Sequence, residues 1–157
     1  MKAIHWIIAA AALACAQPVQ AGVNDPEIII YRFPGVRDDG AAANTGIATA
    51  FHCTNFSGVD ETIRLVTRDS GSSLRSNIAN VINHLSTLTF STHATIAYAG
   101  EIVLNNPGAG VAQGTTAIAA TSINVICTAM TIDASTAAPV GVALRGIRFS
   151  PVPGSQE

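Results

Sequence analysis

From residue 27 onward, apolar and polar residues alternate in short runs, and each run is cut by Gly, Asn, Asp, Ser or Pro. Period-two alternation rich in Ile, Val and Thr marks half-buried β-strands. The runs predict strands over 27–33, 45–54, 61–68, 86–93, 95–104, 115–132 and 141–149. Faces follow from parity, because successive side chains in a strand point to opposite sides. Ile47, Phe51 and Cys53 share one side while Ala48, Ala50 and His52 share the other; Ile63 and Leu65 oppose Arg64, Val66 and Arg68; Leu88 and Phe90 oppose Thr87, Thr89, Ser91 and His93. One buried and one wet face per strand is the pattern of an antiparallel sandwich, with the Cys53 side as core. The run 115–132 exceeds one ordinary strand, so it should bend or split near Thr121-Ser122.

Turns are expected at Phe33-Pro34-Gly35, Asp38-Asp39-Gly40, Asn55-Phe56-Ser57-Gly58, Asp69-Ser70-Gly71-Ser72 and Asn105-Asn106-Pro107-Gly108. The segment 74–85 reads two ways. Leu74, Ile78, Val81, Ile82 and Leu85 trace a helical stripe that Ser72 or Ser73 could cap. Its Asn and Ser content disfavours a helix, and the Gly-containing turn before it suits a hairpin partner, which favours a strand.

The first 21 residues carry a Lys-bearing start, an apolar run from Trp6 to Ala16, Pro18, and the small-residue pattern Val19-Gln20-Ala21. This is the anatomy of a secretory signal peptide, too short in its apolar part to span a bilayer. Cleavage after Ala21 leaves a single domain, 22–157, with no further apolar stretch long enough to cross a membrane. Cys15 follows Ala12-Leu13-Ala14, a faint lipobox, so lipid anchoring through Cys15 is the minor alternative. Export also changes the charge. The signal takes the sole lysine, leaving seven arginines against ten acids, a formal charge of −3. With 11% charged residues and few aromatics, a basic nucleic-acid binder and a charge-driven disordered chain are excluded.

Beyond the signal, Cys53 and Cys127 remain, an even pair bound for an oxidising compartment. A disulfide between them would close a loop of about 75 residues and stabilise the fold by roughly 4 to 5 kcal/mol in the chain-entropy model.

The segments FHCTNFSG, TIRLVTRDSG, LTFST and ICTAM together resemble a pattern in small exported bacterial proteins with immunoglobulin-like sandwiches. The resemblance implies an antiparallel Greek-key (immunoglobulin-like) β-sandwich of about seven to eight strands, with one disulfide from the second strand to a late one. It implies no activity. No Trp remains beyond the signal to pack on the bridge, and Val125 stands where a tyrosine corner has its Tyr, so a generic Greek-key sandwich is the expectation.

Candidate chemistry is sparse. His52, His84 and His93 show no HxH or HxxxH spacing, so no metal site is read from them. Asp38-Asp39-Gly40 with Asn44 offers clustered oxygens but lacks the full calcium-loop spacing, so a plain turn is expected. The glycine-rich stretch 108–114 ends in no Lys-Ser/Thr and reads as a hairpin loop. No GxSxG elbow or comparable nucleophile context occurs, and Asp38-Asp39 and Asp60-Glu61 read as solvated turn acids, so no catalytic residue and no cofactor are expected. Arg64 and Arg68, with Arg75, form a small cationic patch, the weak candidate for docking an anionic polysaccharide or a partner protein. Asn55-Phe56-Ser57 is a glycosylation sequon that a turn explains equally well.

The chain thus reads as an exported, non-enzymatic module with a structural or binding role, periplasmic, at the cell surface or secreted, with a protein or surface polysaccharide as partner and no nucleic acid. The alternatives are a subunit of a surface fibre or adhesin, suggested by low charge and apolar strands open to edge pairing, and a metal- or glycan-binding accessory protein.

Overall fold

A computed structural model describes residues 22–40, 42–104 and 110–149. The expected signal peptide, Cys15, the whole of the Asn105–Gly108 turn and the C-terminal tail lie outside these residues. The described residues form ten strands and no helix: β1 (Ile28–Asp38), β2 (Ile47–Asn55), β3 (Glu61–Asp69), β4 (Leu74–Ile82), β5 (Thr87–Ser91), β6 (Ile102–Val103), β7 (Val111–Ala120), β8 (Val125–Asp133), β9 (Gly141–Leu144) and β10 (Ile147–Arg148). They build two five-stranded sheets in the orders β10-β1-β7-β3-β4 and β6-β5-β2-β8-β9. Every pairing is antiparallel except β5 with β6.

Alternation placed Phe51, Cys53, Ile63, Leu65 and Phe90 in the core, but Ser91 and His93, expected on a wet face, are buried as well. Ile30, Phe33, Ile63, Leu65 and Ile118 from the first sheet meet Phe51, Cys53, Phe90 and Val125 from the second, all at most 1% exposed. Phe33 contacts Phe51 edge-on across the sheets, with ring centroids 5.7 Å apart. Segment 74–82 is strand β4, a hairpin partner of β3. The long apolar run does split at Thr121-Ser122, where the chain leaves the first sheet for the second.

Four expectations are corrected. Phe33-Pro34-Gly35 is no loop: it lies within β1, flanked by register shifts against β7. Among the described residues the two-residue β10 pairs with Tyr31 and Arg32, and Pro34 lies beyond that pairing, where proline's missing N–H takes no bond from β10. Most of 95–104 is a crossing segment that ends in β6. The final run 141–149 divides into β9 and β10, one in each sheet. The even face of β2 is not wet either. Ala48 and Ala50 are fully buried with Ile132 and Ala134, under Ala97 and Tyr98 of the crossing segment. Small alanines let the crossing backbone come close, and the main chain of Ile96 bonds that of Ala134 at 2.9 Å.

Cys53 and Cys127 form a disulfide between directly opposed residues of β2 and β8, with Cα atoms 4.1 Å apart. The bridge therefore ties neighbouring strands within one sheet, whereas an immunoglobulin bridge joins the two sheets.

Candidate functional site

A buried polar group forms where β1 ends. Asp38 is 1% exposed, and its Oδ1 accepts the Gly40 N–H at 2.8 Å, which closes the expected turn. The same oxygen lies 2.9 Å from Nδ1 of His93, itself 6% exposed in the segment after β5. Nε2 of His93 donates to the Thr45 carbonyl at 2.9 Å, since a carbonyl only accepts. Beside them Asp39 accepts the Ile47 N–H at 2.9 Å. One ligand atom each from Asp38, Asp39 and His93 lies within 4.8 Å of the others. Neither the Asp38–Asp39 pair nor His93 singled out this group in the sequence, because 55 residues separate Asp38 from His93.

The other histidines stand elsewhere. His52 projects from the outer face of β2, with Nδ1 3.1 Å from the Thr89 hydroxyl and its ring edge-on to Tyr98 at 4.6 Å. Burial pushes its pKa below the usual histidine value, against a smaller opposing pull from Glu101. The Tyr98 pKa is raised, first by burial and then by the nearby Glu101 charge, and its hydroxyl donates to the Met130 sulfur at 3.4 Å. His84 accepts the Gly58 N–H at 3.0 Å and serves the turn after β2.

The arginine patch does assemble on the outer face of β3 and β4, but its guanidinium groups are engaged. Arg64 holds Glu27 through two bonds, at 2.6 and 3.0 Å, and Asn77 at 3.0 Å. Arg68 donates to the Ser72 carbonyl and Arg75 to Asp69. Asn55 is fully buried; its amide donates to the Val59 and Ile82 carbonyls at 2.7 and 2.9 Å, and its oxygen accepts the Ser57 N–H. The sequon is thus a built turn whose amide nitrogen is already committed. Glu61, expected in a solvated turn, is instead fully buried at the start of β3: Thr121 donates to one carboxylate oxygen and the other has no hydrogen-bond partner among the described residues.

An open groove of about 530 Å3 runs beside the edge strand β9, lined by Gly46, Ile47, Ile132, Asp133, Val140 and Val142 among others. Val140 and Val142 are 80% and 72% exposed. Gly46 and Ile47 join this groove to the Asp38–Asp39–His93 group. Among the described residues no helix is long and apolar enough to cross a membrane. No protein-family model, curated protein or solved structure matches the chain.

Proposed function

We propose that this protein is an exported, non-enzymatic Greek-key β-sandwich module with a structural or binding role in the bacterial periplasm or at the cell surface. The observation that carries the reading is the Cys53–Cys127 bridge, sealed in the core between directly opposed strand residues. A buried structural disulfide belongs to an oxidising compartment. The partners of Arg64 and Asn55 support a scaffold role, since they lie on the neighbouring strand β4 and in the loop after β2. The test is to fractionate the native host and weigh the recovered chain with and without reduction and alkylation. A bridged chain starting at Gly22 in the periplasmic, surface or medium fraction is expected. A cytosolic chain with free Cys53 and Cys127 thiols overturns the proposal.

A second reading, a fibre subunit, is favoured by the open sheet edges. Among the described residues, strand β4 pairs only with β3 and exposes Leu74 and Val81, while β9 pairs only with β8 and exposes Val142. Edges of this kind accept further strands. Sedimentation velocity over a concentration series should then show growing polymers; a monomer at every concentration refutes the fibre reading.

A further inference from the structure

Two hydrogen-bond acceptors cannot rest against each other without something positive between them. The Thr45 carbonyl lies outside the Asp38–Asp39–His93 group and takes the Nε2 proton of His93, which turns Nδ1 toward the Asp38 carboxylate at 2.9 Å. Both side chains are more than nine-tenths buried, so solvent does not screen the contact. What lies between them is either a proton, on the ring nitrogen or on the carboxyl, or a metal ion.

Several features match a metal. Metal-bound histidines commonly donate their second ring nitrogen to a main-chain carbonyl, which fixes the tautomer and frees the other nitrogen for the ion. Bonds of about 2.0 to 2.2 Å put neighbouring ligand atoms about 3.3 to 3.6 Å apart on a tetrahedral ion, so Nδ1 and Asp38 Oδ1, 2.9 Å apart, need open by only about half an ångström to admit one. Asp39 flanks the pair from the exposed side and adds a second carboxylate within reach. An imidazole with two carboxylates suits zinc or a neighbouring transition metal better than calcium, which prefers six to eight oxygens.

We propose that Asp38, Asp39 and His93 form a zinc-type divalent-metal site, with His93 bound through Nδ1 and held by Thr45, that pins the end of β1 to the segment after β5. Ile47 and Asp39 exchange main-chain and side-chain bonds, so the ion would also fix the wall of the groove beside β9. This proposal is independent of the export reading.

The test uses the untagged mature chain, stripped with chelator and titrated with zinc, calcium and magnesium chlorides. Calorimetry and thermal melts follow binding, and nitrogen-detected NMR follows the histidine rings. Zinc is expected to bind one to one and raise the melting temperature by several degrees at a hundredfold excess over Kd. The His93 Nε2–H should persist while Nδ1 shifts as a metal ligand. Asp39→Asn keeps an acceptor for the Ile47 N–H, so it should melt unchanged without metal while binding zinc at least tenfold more weakly. His84→Gln should leave zinc affinity intact. Absence of a zinc response, full affinity in Asp39→Asn, loss of binding in His84→Gln, or two His93 ring protons at saturating zinc each overturn the proposal.

Discussion

Reducing the Cys53–Cys127 bridge should destabilise the fold mainly by freeing the unfolded chain. The two cysteines face each other at the seventh of nine paired positions between β2 and β8, so the folded strands hold them together with or without the S–S bond. Their separation of 74 residues sets the loop that the bridge closes in the unfolded state. Loop-closure entropy for that length gives about 15 cal/mol/K, or about 4.5 kcal/mol at 25 °C. For a domain of this size that is a fall in melting temperature of about 15 °C.

The assay is urea unfolding of oxidised and fully reduced protein, with Cys53→Ala/Cys127→Ala as a third sample. Reduced wild type keeps both sulfur atoms in the core, so the gap between it and the double variant reports lost packing alone. The gap between oxidised and reduced wild type reports the bridge. The slope against urea should also steepen on reduction, because an uncrosslinked chain exposes more surface. Oxidised and reduced curves that agree within about 1 kcal/mol would refute the reasoning, and would mean that the unfolded chain is already confined near the β2–β8 contact.

Three further outcomes follow from single sites. Gly146→Ala should cost about 1 to 3 kcal/mol in urea unfolding, because a Cβ there would stand 2.5 Å from Cε1 and 2.7 Å from Cζ of Phe33, which is pinned against Phe51. Asn55→Asp should cost about 3 kcal/mol or more, because it turns a carboxylate onto the Val59 and Ile82 carbonyls that now accept from the amide; a loss under 1 kcal/mol by the same measurement contradicts that network. Burial lowers the His52 pKa in the folded state, so the unfolded chain binds the proton first. Its contribution to stability is therefore complete above the unfolded value of 6.5 and is lost as pH falls through it toward the folded value; NMR titration of the ring and a flatter stability–pH curve in His52→Gln are the checks.

The strands and the core were legible because both depend on local parity. Cys53, Phe51, Ile63 and Leu65 fall on the buried face that alternation assigns to them. The helical stripe at Leu74, Ile78 and Ile82 failed because β3 offered a long hairpin partner, and tertiary pairing outweighs a weak local period. What a strand's second face meets is not written in its own residues. Ala48 and Ala50 look like a tolerant outer surface until Tyr98 and Ala97 cross above them. Glu61 misled for the same reason: beside Asp60 it resembles a solvated acid, yet it begins β3 on the parity of Ile63 and Leu65 and must point inward.

Strand endings show where one device stops explaining the molecule. β1, β2, β3 and β8 end on Asp38, Asn55, Asp69 and Asp133, and each side chain accepts the N–H two residues on, from Gly40, Ser57, Gly71 and Ser135. A short acceptor there stops the ladder by satisfying the first backbone donor of the turn. At Asp69 and Asp133 such bonds, with their near neighbours, account for the carboxylate: its pKa is held down at Asp69 first by the Ser73 N–H and at Asp133 first by the Ser135 hydroxyl. At Asn55 the amide adds two bonds that close the adjoining loop. At Asp38 the turn is complete once Gly40 is bound, yet the buried carboxylate is also turned onto a ring nitrogen from a distant segment, with Asp39 beside it. A turn needs neither, and a carboxylate buried against a ring nitrogen 55 residues away is what sets the end of β1 apart from the endings at Asp69 and Asp133 and makes it the ending on which the proposed metal site rests.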